Sequence, residues 1–198
     1  MGLFFDAATE WNNLLDKKYF IVVAHKGKKK EIELSFLNED FYHLAGMQYA
    51  QDVDFGINKA EYYGELLVPA ILNKTLDSSK IESSRNWIKI SGRLTAIINL
   101  QNTLDNDFKI FSFNKNKVGV FSRLEARYVI KNLISDEEYF VFFDKQEGRY
   151  YCKSAFKKEC VDYTKNQTPL TLLQKTKIFC DNSKLLFLKD NFEEIKKT

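Results

Sequence analysis

The chain has little with which to build linkers, covalent staples or metal clusters: three cysteines, two histidines, two prolines and eight glycines in 198 residues. Cys152, Cys160 and Cys180 are odd in number, lie in the last quarter and form no Cys-x-x-Cys pair. A disulfide framework is therefore excluded as the basis of the fold, and a reduced compartment is the simplest reading. His25 and His43 stand far from the cysteines and match no zinc-ligand spacing, so no metal and no cofactor are expected. No glycine-rich loop follows a strand-like run, which counts against a Rossmann site, a dinucleotide cofactor and nucleotide-dependent transfer. Apolar runs such as Phe140–Phe143 and Tyr19–Ala24 are too short to span a bilayer. Met1 to Phe5 is followed at once by Asp6 and Glu10, unlike a signal peptide. A cytoplasmic protein with no membrane association is expected. Charge of one sign is scarce too: the net charge is +3, which permits a polyanionic partner without demanding one.

What the chain has in quantity is aromatic surface, with 17 Phe and 10 Tyr in a composition that is 44% apolar. That is enough to bury a core and argues against disorder. Ala7, Trp11, Leu14 and Leu15 recur at helical spacing, predicting a helix over 6–17 with Asp6 as N-cap. Tyr19–Ala24 and the alternating Glu31–Phe36 flank a turn at Lys26–Lys28, which predicts a β-hairpin with His25 exposed at its tip. Lys26, Lys28, Lys29 and Lys30 read either as a solvated turn or as a contact for nucleic-acid backbone. Asn38–Gly46 predicts a loop entering one helical turn, with Asn38 or Asp40 as cap, Gly46 as C-cap and His43 inside. A second helix is expected over 60–74, with Tyr63, Leu66, Leu67, Ala70 and Ile71 inward and Pro69 as a kink or break.

The clearest helix runs over 84–105, with Trp87, Ile90, Leu94, Ile97 and Leu104 on one face and Arg85, Lys89 and Arg93 forming a basic stripe. Arg93 falls at the border of the apolar face. From Phe108 the pattern turns to strands: 108–113, 118–130, 139–144 and 170–179. The expected fold class is α+β: an N-terminal β-hairpin and helices packed on one face of a mainly antiparallel sheet formed largely by the C-terminal half. Glu125 and Arg127 would lie on the sheet's open face. Residues 1–178 are expected to form a single domain and 179–198 a tail extension, a strand followed by a frayed charged helix.

The run Ile32-Glu33-Leu34-Ser35-Phe36-Leu37-Asn38-Glu39-Asp40-Phe41-Tyr42-His43-Leu44-Ala45-Gly46-Met47 resembles the signature of a phage-borne family of predicted ribonucleases. That family is the fourth phage-associated branch of the fold shared by barnase, EndoU, colicin and RelE nucleases, in which a strand leads into a Phe-x-His-Leu-x-Gly turn. Weaker matches follow in order at Arg93-Leu94, at the hairpin from Phe108 into Ser122-Arg123-Leu124-Glu125-Ala126, at Tyr139–Phe143 and at Tyr150–Phe156, covering about residues 10–178. One departure is Cys152-Lys153-Ser154-Ala155-Phe156, where the family usually carries Pro-x-Ser-Phe-Phe.

The resemblance implies metal-independent RNA cleavage by general acid/base transesterification, with RNA as partner and, for a phage-related toxin or effector, a protein inhibitor or antitoxin. Such chemistry needs a proton acceptor, a proton donor and cations on the phosphorane. His43, Arg93, Arg127, Ser154 and Thr171 are the catalytic candidates, and Lys89, Glu125 and Tyr151 the substrate-binding ones. An imidazole, with a reference pKa of about 6.5, can serve as base or acid near neutrality. Arg93 and Arg127 can grip a phosphate bidentately, and Ser154 or Thr171 can donate to it. Each has a plainer reading: His43 as a capping or core histidine, Arg93 as a structural ion pair with Glu125, Arg127 as solvated surface, the hydroxyls as backbone partners, Tyr150 and Tyr151 as core and edge. The alternative function is a catalytically inactive RNA- or protein-binding module of the same fold.

Overall fold

A computed structural model describes residues 2–54, 64–119, 122 and 124–196. In chain order the elements are α1 (Leu3–Asn12), β1 (Lys17–His25), β2 (Lys28–Ser35), α2 (Asn38–Leu44), α3 (Leu67–Leu72), α4 (Ser78–Glu82), α5 (Trp87–Ile98), α6 (Leu100–Asp105), β3 (Lys109–Ser112), β4 (Tyr128–Ile134), β5 (Glu137–Gln146), β6 (Arg149–Lys157), β7 (Thr168–Phe179) and β8 (Asn182–Leu188). Single 3-10 turns lie at Met47–Tyr49 and Lys115–Lys117.

The class is α+β as expected, but the sheet is not open. Its order, β1-β2-β6-β5-β4-β3-β7, returns on itself because β7 also pairs with β1, so seven strands close into a barrel with β8 appended to β7. The pairings are antiparallel except at one seam, where β2 meets β6 in parallel at Leu34 and Tyr150. The sequence reading missed closure because it rests on β1 pairing with a strand some 150 residues away, which no local pattern announces.

The core explains why β1 and β5 read as continuous apolar runs rather than alternating ones: both faces are covered. Tyr19, Ile21 and Val23 join the main core with the helices, while Phe20 and Val22 meet Leu173, Phe192 and Ile195 on the opposite face. Val129, Phe140 and Phe142 likewise turn away from the helices into a second aromatic cluster with Phe156 and Tyr163. The face expected to be open is thus largely clothed, and Arg127 stays solvated only at the margin, its side chain 59% exposed. In the tail no helix forms over 189–196. Instead Gln174, fully buried, accepts from the Ile195 N–H and donates to its carbonyl, both at 2.8 Å.

Other boundaries shift for local reasons. α1 begins at Leu3 with Gly2 as N-cap, placing Asp6 inside the first turn rather than at the cap. The expected 84–105 helix is two, broken at Asn99, whose side-chain amide donates to the Thr95 carbonyl at 3.0 Å and competes with the backbone ladder. The expected 118–130 strand begins only at Tyr128. Before it, Leu124 and Ala126 pack against the second aromatic cluster instead of joining a ladder. In the described part of the expected 60–74 helix, residues 64–74, only Leu67–Leu72 is helical and Leu66 is 55% exposed; residues 60–63, Tyr63 among them, lie outside the described residues, as does Arg123. Among the described residues no helix is long and apolar enough to cross a membrane.

Candidate active site

The site begins where β2 ends. Leu37 N–H donates to the Asp40 carboxylate at 3.1 Å, which caps the start of α2. Phe41, Tyr42 and Leu44 then turn into the core and leave His43 exposed on the outer side of the helix, its ring edge-on to Tyr42 at 5.4 Å between centroids. Gly46 ends the turn at φ +79°, a left-handed conformation that a glycine takes without strain.

Gly46 also makes room for Arg93. A Cβ at position 46 would stand 2.7 Å from Arg93 Cδ, closer than any two carbons can pack. Arg93 projects from α5, near both the Tyr49 ring at 5.4 Å and the Phe156 ring at 5.9 Å, and its Nη1 donates to Ser154 Oγ at 3.1 Å. Ser154 is itself buried on β6. Among the described residues no carboxylate pairs with Arg93; Glu125 pairs with Lys115 instead, so the plainer alternative for Arg93, an ion pair with Glu125, does not form. Two aromatic rings and a hydroxyl therefore order a long cationic side chain without neutralising it.

These groups share a cleft of about 970 Å³ whose lining includes His43, Arg93, Ser154, Glu125 and Tyr151. Its other end is organised by Arg149, which donates to both Asp40 oxygens at 2.6 and 3.0 Å and to Glu39 at 3.3 Å, with its guanidinium over the Tyr151 ring. The Asp40 bond, above all, holds the Arg149 pKa above its usual range. Burial, the largest single influence, would lower the Lys153 pKa, but its 2.7 Å bond to Asp144 together with the charges of Tyr151, Asp144 and Glu125 outweighs it and the net shift is upward. Burial pushes the Cys152 thiol up, which keeps it protonated and poorly nucleophilic.

The remaining expected residues lie elsewhere. Arg127 does not line the cleft and faces Asp144 at 3.5 Å. Thr171 is exposed on β7 opposite Ala24 of β1, away from the cleft. Lys89 lines a neighbouring cleft and sits over the Tyr49 ring at 5.8 Å. Sequence reasoning passed over Arg149, Tyr49, Phe156 and Tyr163, all of which line the main cleft. The N-cap of α2 is Leu37 rather than the expected Asn38 or Asp40; Asp40 serves that cap from the third helical position, and its arginine, 109 residues away, left no sign in the sequence.

No curated protein and no solved structure matches the chain. A family match spans residues 4–191 and so takes in every element of the cleft. On that match the chain belongs to the phage-Barnase-EndoU-ColicinE5/D-RelE like nuclease 4 family.

Proposed function

We propose that the protein is a metal-independent ribonuclease in which His43 exchanges a proton with the reacting RNA while Arg93 and Ser154 hold the phosphate. The observation that carries this reading is the shared cleft: one exposed imidazole beside one aromatic-ordered guanidinium without a carboxylate partner among the described residues. In the reaction the 2′-hydroxyl loses its proton and its oxygen attacks phosphorus. The bond to the 5′-oxygen breaks, and that oxygen gains a proton. The products are a 2′,3′-cyclic phosphate and a 5′-hydroxyl. His43 serves one of these two proton transfers, and a fixed cation stabilises the charge that builds on the phosphorane between them. RNA rather than DNA follows from this chemistry, because only RNA carries the attacking hydroxyl. A toxin or effector role in conflict between phage and host, restrained by a protein inhibitor, is the biological setting we infer.

The test is to incubate the purified protein with total RNA or tRNA in EDTA beside His43→Ala. Cleavage to cyclic-phosphate ends that drops roughly a hundredfold or more in the variant is expected. Equal cleavage by both proteins, or cleavage by neither, overturns the reading. Salt-dependent RNA binding without turnover, unchanged in His43→Ala, would make the protein a binding module of the same fold instead.

A further inference from the structure

Arg93 lines a second cleft as well. On the far side of its guanidinium lies a depression of about 570 Å³, within the usual range of ligand sites, whose lining includes Lys89, Cys160 and Tyr163. Tyr49, Arg93, Phe156 and Tyr163 belong to both clefts and so form the ridge between them. A phosphate held on this ridge would have His43 on one side and Lys89 on the other. A polynucleotide through that phosphate must leave in both directions.

We propose that the second cleft is a nucleotide subsite, in which the nucleotide next to the Arg93-bound phosphate lies against Tyr163 and its outer phosphate meets Lys89. This rests on the ribonuclease reading of the main cleft and adds to it a minimum substrate length. The chemistry suits such a ligand. Tyr163 and Tyr49 are half-buried rings fixed by neighbours, Tyr163 edge-on to Phe156 at 5.2 Å, and fixed aromatic rings are surfaces on which splayed bases stack. Lys89 is an exposed cation with no carboxylate partner among the described residues, whereas Lys157 on the same lining is committed to Glu137. A dinucleotide, whose one phosphate sits on the ridge, would have no outer phosphate to meet Lys89; longer strands would supply it.

The cleft carries its own reporter. Cys160 is an exposed thiol on its lining, Cys180 is exposed elsewhere, and Cys152 is buried. The experiment measures alkylation of Cys160 and Cys180 in the His43→Ala protein, expected to bind without cutting, with a saturating hexaribonucleotide or a dinucleotide. The hexamer is expected to slow alkylation of Cys160 several-fold and leave Cys180 unchanged, whereas the dinucleotide, with no outer phosphate for Lys89, protects Cys160 less and Cys180 not at all. Lys89→Ala should weaken the protection and reduce the salt dependence of hexamer binding by about 0.7 in log–log slope, the share of one phosphate contact on a single strand. If the hexamer binds by fluorescence anisotropy but Cys160 reacts at its free rate, the subsite is wrong and the ribonuclease reading stands. Protection of Cys160 in a protein whose wild type never cuts RNA keeps the subsite and removes the enzyme. Absence of any binding overturns both.

Discussion

At the scale of single residues, the site depends on how Arg93 is held. In the ribonuclease proposed above its charge is the chemical contribution, Gly46, Tyr49 and Phe156 determine where that charge sits, and Ser154 both orients the guanidinium and meets the phosphate. Substitutions should therefore form a graded series in kcat for RNA cleavage. Arg93→Ala removes the phosphate cation and should lower kcat about 10²–10³-fold. Ser154→Ala deletes one hydrogen bond, worth about 0.5–1.5 kcal/mol, and should cost no more than about tenfold. Gly46→Ala places a methyl against Arg93 Cδ at a positive φ, so it should lower stability by about 1 kcal/mol or more and reduce activity more than Ser154→Ala does. Equal kcat values across the three variants would disprove that Arg93 is the group being positioned.

At the scale of elements, α2 is held by charge as much as by packing. The Asp40 side chain is 7% exposed and Arg149 24%, so the pair that joins the start of α2 to the start of β6 is largely withdrawn from water. Removing one partner leaves the other poorly solvated. Arg149→Met should destabilise the protein toward the lower end of the roughly 3–5 kcal/mol seen when a buried pair is broken, since part of the arginine is wet. Asp40→Asn, which keeps a side-chain acceptor for Leu37 N–H, should cost less. Urea denaturation of the two variants and their double mutant reads the coupling, and strictly additive losses would show that the pair does not hold the helix. The hydrophobic spacing around Phe41 and Leu44 and the glycine at 46 made this helix legible in the sequence. Its anchor was not, because charges that meet across 109 residues leave no periodic trace.

At the scale of the whole molecule, the same distinction decides what could be read. The aromatic runs announced strands, and Ile90, Leu94 and Ile97 announced the face of α5, because each is a local period imposed by burial. Closure of the barrel, the cover over the second face and the Arg93–Ser154 contact depend on pairings between distant segments. One further network of that kind sets an alkaline signature. Lys175, almost wholly buried, donates to the Asp105 and Asn106 carbonyls at the end of α6, and burial lowers its pKa from 10.5 to about 8. Burial, with the Asp105 hydrogen bond, pushes the Tyr19 phenol well above its usual value of 10. Between pH 8 and about 10 the unfolded chain holds the Lys175 proton that the folded protein releases, so stability should rise with pH. Above about 10 the unfolded Tyr19 ionises while the folded one does not, and stability should fall. Denaturation midpoints across pH 7.5–11 test this, with Lys175→Met abolishing the rise; a flat profile in the wild type would contradict it. The ring has a consequence in time as well as in space. β1 is made well before β7, its partner some 150 residues later, and Ser154 on β6 comes shortly before β7. A nascent chain that already carries His43 and Arg93 still lacks the strand that closes the barrel, so the cleft can reach its final form only after β7 has been made.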